Sequence, residues 1–269
     1  MNFFIKAAAF IKKSFIIQKN YPLQFFIVIF DIVLGLAFFY FLTKMLGQDQ
    51  EQRFGFYGGG LFTFFLIGMA YAGFLYTWLY CFSDMLQNEF YSGTLEVALA
   101  TPTGIFQILF FSSLWPQLYA FLNVFLYFII GILIFGARIS AANYPLVLTV
   151  TLVSMVAFAG LGITSAALLI VFKKGDLLKK ALYVPSLFLS GVYFPVEALP
   201  GWLQKISSIL PATYSLRAIR NALGGNSAGS VYGDIGVLAI FAAILFPAGI
   251  YIFKRAFLHS KKVGSLTSY

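Results

Sequence analysis

Nine carboxylates, one histidine and one cysteine are the groups with which this 269-residue chain could do chemistry. Asp31 and Asp234 fall within or at the edge of long apolar runs, and two such aspartates are what an intramembrane aspartyl protease would need. Tyr232-Gly233-Asp234 lacks a Gly-x-Gly-Asp pattern, however, and Asp31 has no such context. His259 stands in a basic tail outside any run that could form a pocket, so Ser/His or metal chemistry has almost nothing to build on. The lone Cys81 excludes an intramolecular disulfide and a thiolate metal cluster. No G-x-x-x-x-G-K-S/T occurs, so ATP, if used, is hydrolysed by another polypeptide. The chain is expected to be a non-enzyme with no cofactor or metal of its own.

Other acids inform by position. Ser83 to Thr103, SDMLQNEFYSGTLEVALATPT, is the one long polar interval between apolar runs that carries acids and no Lys or Arg. Asp84, Glu89 and Glu96 lie there, with Gly93-Thr94 and Thr101-Pro102 as chain breakers. It reads as a short exposed helix shaped to be gripped by a second protein, or equally as an ordinary amphipathic loop between two spans.

Composition sets the surroundings. Hydrophobic residues make up 61% of the chain and charged residues 10%, far below the roughly 25% of soluble domains. No soluble core could hide that surface, so lipid must solvate most of it. A formal charge of +9 would suggest nucleic acid in a soluble protein; here membrane orientation explains the bases better. Twelve of the eighteen Lys and Arg fall on one side: four in Met1 to Asn20, four in Lys173 to Lys180 and four in the tail. The other side holds Lys44, Arg53, Arg138, Lys205, Arg217 and Arg220. That excess puts both termini, and the acidic interval, in the cytoplasm.

The elements that must position these groups are helices, because the apolar runs are continuous rather than alternating. Residues 1–20 form a basic amphipathic helix suited to an anionic leaflet. Spans follow at Leu23 to Leu46, Phe56 to Phe82, Ile105 to Phe135, Pro145 to Phe172, Ala181 to Phe194 and Ile235 to Phe253. The third is long for one crossing, so it projects into the cytoplasm or kinks at Pro116; the fifth is short of the roughly 20 residues that a crossing needs. The fold class is thus an all-α polytopic membrane protein, one domain of six transmembrane helices.

Within residues 195–231, Pro195, Pro200 and Pro211 cut the chain into short pieces. Leu199, Trp202, Leu203, Ile206 and Leu210 fall at helical spacing, and Leu216, Ile219 and Leu223 repeat the pattern with Arg217 and Arg220 turned away. Two short helices that dip into the outer leaflet, or that lie flat on it, both satisfy this. On the first span, Gln24, Gly35, Phe38 and Leu42 share the face of Asp31, and that face is expected to turn inward. Asp31 is a pathway residue or a packing acid; Phe26, Phe30 and Phe41 could stack sugars, receive apolar drugs or simply pack. Asp234 reads as a cap or first-turn acid of the last span.

Asn88 to Thr103, with Glu89, Gly93-Thr94-Leu95-Glu96 and Thr101-Pro102, resembles the signature of ABC type-2 exporter permeases. Ser190 to Leu223, SGVYFPVEALPGWLQKISSILPATYSLRAIRNAL, resembles that family's segment before its last span. One departure is Asn88, where relatives often carry a base, which puts a local ion pair in doubt. The resemblance implies a half-transporter: two copies, or one with a close homologue, each engaged by a cytoplasmic ATP-binding-cassette subunit that carries ATP and Mg. Residues 83–103 would be the coupling segment, with Glu89, Gly93, Thr94, Leu95, Glu96, Thr101 and Pro102 at the docking site. Pro195, Leu199, Pro200, Trp202 and Pro211 would belong to a re-entrant pair bounding the outer exit. The implied setting is the cell (inner) membrane.

The substrate expected is amphiphilic, drug-like or lipid-linked, along a path including Phe26, Phe30, Asp31 and Phe41. A lipid-linked polysaccharide is the alternative, as is a membrane protein working without ATP, either an intramembrane enzyme or a secondary transporter.

Overall fold

The break at Asn20-Tyr21 separates the first two helices of the computed structural model, which describes residues 3–46, 59–93, 104–139, 142–172, 175–225 and 228–263. Helix α1 (Phe3–Lys19) ends there, and Pro22, with its fixed φ, opens α2 (Pro22–Leu46). Helix α3 (Gly60–Tyr91) has 32 residues, about 48 Å at the α-helical rise. It is followed by α4 (Ile105–Leu133) and α5 (Tyr144–Phe172). Helix α6 (Gly175–Leu189), a 3-10 turn (Val196–Ala198), and the short α7 (Gly201–Ser207) and α8 (Pro211–Leu223) come next. Helix α9 (Ala228–Val263) completes the described chain. All regular structure among the described residues is helical.

Five helices, α2, α3, α4, α5 and α9, are long and apolar enough to cross a membrane. The fifth run of the sequence is α6, whose 15 residues span about 22 Å, less than the ~30 Å of a hydrocarbon core. Its range is shifted toward the N-terminus from the expected Ala181 to Phe194.

Helix α3 is the centre. Nearly every side chain from Gly60 to Phe82 is buried, and it packs on α2, α4, α5, α6 and α8. Helices α5 and α9 form the most extensive pair. They meet backbone to backbone: a Cβ at Gly160 would collide with the Leu245 carbonyl, and one at Gly249 with the Gly160 carbonyl. Such close approach is how helices gain dispersion contacts in lipid, where apolar burial drives little. Large apolar side chains stay exposed on α2, α4 and α9, including Leu34, Leu122, Phe125, Ile240 and Ile244, as expected of surfaces wetted by acyl chains.

Helix α1 lies against the N-terminal part of α4. Phe10 stacks on Phe111 at 5.7 Å, Phe15 meets Trp115 edge-on at 5.4 Å, and Trp115 Nε1 donates to Gln18 Oε1 at 2.5 Å. Helix α4 continues through Pro116, and its 29 residues, about 44 Å, exceed one crossing. The extra length is where the amphipathic helix docks.

Candidate functional site

Three places bring together the residues that the sequence singles out. The first is the C-terminal end of α3. Ser83 to Tyr91 is no separate short helix but the continuation of the second span, because nothing between Phe82 and Tyr91 interrupts the backbone hydrogen bonds. Ser92 ends it, and Gly93 follows at φ 64°, a left-handed conformation that a side chain would strain. Glu89 is half-buried on the last turn. Thr94, Leu95, Glu96, Thr101 and Pro102 lie outside the described residues.

Beside this end stands a pair that sequence reasoning missed. Lys179 on α6 is 1% exposed and its Nζ donates to Asp84 Oδ1 on α3. Gln87 Oε1 lies 3.4 Å from the same Nζ, and the Tyr80 ring centroid is 5.2 Å away. The charge pattern KKGDLLKK signals only a basic loop. What marks Lys179 is its burial, which no count of charges reveals.

The second place is the segment from Ser190 to Leu223. Proline organises it: Pro195 precedes the 3-10 turn, Pro200 is the N-cap of α7, and Pro211 occupies the first turn of α8. Leu199 is the C-cap of the turn, and Trp202, on α7, is 65% exposed. The two short helices exist as expected, and Arg217 is exposed as expected, but Arg220 is not turned away. Arg220 is 4% exposed. Its Nη1 donates to the Gly191 carbonyl at 2.7 Å, and its Nη2 to the carbonyls of Phe64 at 3.1 Å and Val192 at 3.3 Å. The guanidinium sits 3.6 Å from the Phe64 ring centroid. A planar fork with five donors suits a set of convergent carbonyls, which an ammonium could not span.

Arg217 donates Nε and Nη2 to the two oxygens of Asp234, at 3.0 and 2.5 Å. This corrects the reading of Asp234 as a cap or first-turn acid. Helix α9 begins at Ala228, so Asp234 lies in its second turn, where it clamps α8 onto α9.

The third place is α2. Ile32 and Leu36 are buried against α3 and α4, whereas Asp31 lies on the exposed side of the helix. Phe26, Phe30 and Phe41 are exposed there too. Of the face expected to turn inward, Gln24, Asp31 and Phe38 therefore turn away from this chain's own bundle, whereas Gly35 and Leu42 pack toward α3. A carboxylate left in hydrocarbon costs about 2.5–3.5 kcal/mol, so this face calls for protein or water against it. Asp31→Asn is expected to leave the unfolding temperature of the isolated chain unchanged, since Asp31 is not part of its core. It should reduce transport about tenfold, the effect of one lost charged interaction of ~1.4 kcal/mol. Normal transport by the variant would reduce Asp31 to a bystander.

Next to α2 runs a series of rings unforeseen from the sequence. Phe39 stacks on Phe65 at 4.5 Å and lies 6.3 Å from Tyr193, which is 5.7 Å from Phe188. On α3 and α6, Tyr76 stacks on Tyr80 at 4.2 Å and meets Tyr183 at 5.4 Å. Tyr76 and Phe188 remain largely exposed. Tyrosines four residues apart on one helix were detectable, but Tyr183 and Tyr193 join them only through tertiary packing.

The profile of the ABC-2 type transporter family matches residues 6–223. Nodulation protein J of Sinorhizobium fredii is 32% identical over 131 residues, 48% of this chain and 50% of that protein. Nodulation protein J of Rhizobium leguminosarum bv. viciae is 33% identical over 108 residues, 40% of this chain and 42% of that protein. The protein of the same name from Bradyrhizobium diazoefficiens is 27% identical over 129 residues, covering 46% and 49%. The chain spans half or less of the length of the curated relatives it matches.

Proposed function

We propose that this chain, which belongs to the ABC-2 type transporter family, is one half of an ATP-driven exporter. Family and apolar helices together make it a multi-pass membrane transport permease. In the fuller reading, ATP and Mg are bound by a separate cytoplasmic cassette subunit, which grips residues 83–103 through Glu89 and Glu96. Both termini are cytoplasmic, α6 and the residues flanking it make the fifth of six crossings, and α7 and α8 bound the outer exit. A second copy covers the α2 face that carries Phe26, Phe30, Asp31 and Phe41.

The observation that carries this reading is the reach of α3. One helix bears Glu89 and Asp84 at one end, while near its other end the Phe64 carbonyl accepts from Arg220 of the outer segment. A rod of about 48 Å, packed on five other helices, transmits a push at its cytoplasmic end as rigid-body motion. The exposed rings of Tyr76 and Phe188 beside Asp31's helix support an amphiphilic cargo with groups that stack or accept hydrogen bonds.

The test is a pull-down of the tagged chain from native membranes with partners identified by mass spectrometry. A P-loop ATPase in near-equal amount, lost when Glu89 and Glu96 are both changed to lysine, is the expected result. Absence of any ATPase across several detergents would return the chain to transport without ATP.

A further inference from the structure

The turn after α6, helices α7 and α8 and the first turn of α9 line a half-open cavity of about 460 Å³ to which the transport reading assigns no ligand. Its volume lies within the roughly 300–1,000 Å³ of small-molecule sites, and polar residues supply much of a wall whose exposed area is, as in such sites, mostly apolar. Ser190, Thr213, Arg220 and Asn221 contribute to the wall and are all buried. Ser190 is 2% exposed, and its Oγ has no hydrogen-bond partner among the described residues. A buried hydroxyl without a partner beside a cavity is costly until a ligand or a solvent molecule engages it.

Both signs of charge stand around the same space. Glu197 and Arg217 line it along with Arg220. The Arg217 pair with Asp234 engages Nε and Nη2, which leaves the Nη1 protons to serve another acceptor. Glu197, exposed on the 3-10 turn, is an acceptor for a cation. Depth comes from the neighbouring helix. Trp202 and Ile206 of α7, with Ile209 just beyond it, are exposed, and a tryptophan on a broken, surface-lying helix belongs at the headgroup level of a bilayer.

We propose that this cavity binds the zwitterionic headgroup of a membrane phospholipid, with Ser190 and Arg217 donating to its phosphate and Glu197 accepting from its amine. The assignment to the outer leaflet rests on the orientation proposed above; binding itself does not. A neutral sugar would use the hydroxyls and amides but would gain nothing from the opposed charges of Glu197 and Arg217. An anionic headgroup would be repelled by Glu197.

The purified chain in detergent is titrated with dihexanoyl phosphatidylethanolamine, dihexanoyl phosphatidylglycerol, phosphoethanolamine and sucrose, with Trp202 fluorescence and thermal shift as readouts. Phosphatidylethanolamine is expected to bind about tenfold more tightly than phosphatidylglycerol, a difference of ~1.4 kcal/mol from one charge-assisted contact. Glu197→Gln, at an exposed position that does not threaten folding, should abolish that preference. Ser190→Ala should weaken both lipids alike. Equal binding of the two lipids by the unaltered chain, or a preference that survives Glu197→Gln, overturns the proposal. Phosphoethanolamine binding as tightly as the lipid overturns the membrane source and leaves a soluble phosphorylated amine as the ligand. Sucrose binding more tightly than either lipid overturns the headgroup chemistry altogether. None of these results depends on an ATPase partner, so this test and the pull-down fail separately.

Discussion

Arg220→Leu is expected to lower the stability of the detergent-purified chain by about 3–5 kcal/mol, the range for removing one partner of a buried charged network. Three carbonyls lose their donor at once: Gly191, Val192 and Phe64. Leucine fills much of the volume above the Phe64 ring but donates to none of them; the Phe64 carbonyl stays within the α3 ladder, and a buried loop acceptor left without a partner costs about 1–3 kcal/mol. Arg220→Lys should recover only part of the loss, because one ammonium cannot serve carbonyls on both α3 and the turn after α6. The damage should be local in its first expression. Limited proteolysis is expected to cut between Gly191 and Leu199 in the variant before the α5–α9 pair unfolds. A variant with the wild-type melting temperature and cleavage pattern would show that packing of α8 alone holds the segment from Ser190 to Leu223.

Asp84→Ala and Lys179→Met should behave oppositely, although they break the same contact. Lys179 is buried and Asp84 is partly exposed, at 1% and 43% of the side chain. Removing Asp84 leaves a buried ammonium with the Gln87 amide oxygen 3.4 Å away, and is expected to cost on the order of 3 kcal/mol. Lys179→Met replaces the buried cation by an apolar chain of similar length and releases a carboxylate that can meet water, so stability should change by less than about 1 kcal/mol. The double variant should recover most of what Asp84→Ala loses, a coupling that a double-mutant cycle of melting temperatures measures. Function should follow the other order. The pair is the polar tie between α6 and the end of α3 that leads to the proposed ATPase site, so Lys179→Met, though well folded, is expected to slow export while ATP hydrolysis continues. Export at the unaltered rate would make the pair a structural clamp only.

Helix boundaries show where sequence reading works and where it stops. Leu23 to Leu46 and Pro145 to Phe172 were each met to within one residue, as α2 and α5. The second and last runs were read too short. Helix α3 continues nine residues past Phe82, and α9 extends beyond Ile235 to Phe253 at both ends. Hydropathy marks the part of a helix that lipid touches, whereas the backbone hydrogen bonds continue into the polar zone until a residue such as Gly93 ends them. For that reason the acidic interval reads as a separate short helix or a loop rather than as the end of α3.

The arginines and lysines mislead in the opposite direction. A base at helical spacing opposite Leu216, Ile219 and Leu223 reads as turned away from the apolar face, and the bases of Lys173 to Lys180 read only as a contribution to membrane orientation. Arg220 and Lys179 are nevertheless buried, because their partners lie far along the chain. The Gly191 and Phe64 carbonyls are 29 and 156 residues from Arg220, and Asp84 is 95 residues from Lys179. The family signature in Asn88 to Thr103 and Ser190 to Leu223 was legible because it is written in contiguous residues.

The order of residues was sufficient for the class of this chain, the places of most of its long helices and its family, all of which follow from local composition and short motifs. The packed chain alone decided which charges are buried, that one helix joins the acidic end to the Ser190–Leu223 segment, and that Asp31 faces away from its own bundle. Those outcomes depend on contacts between residues distant in sequence, and local periodicity carries no record of such contacts.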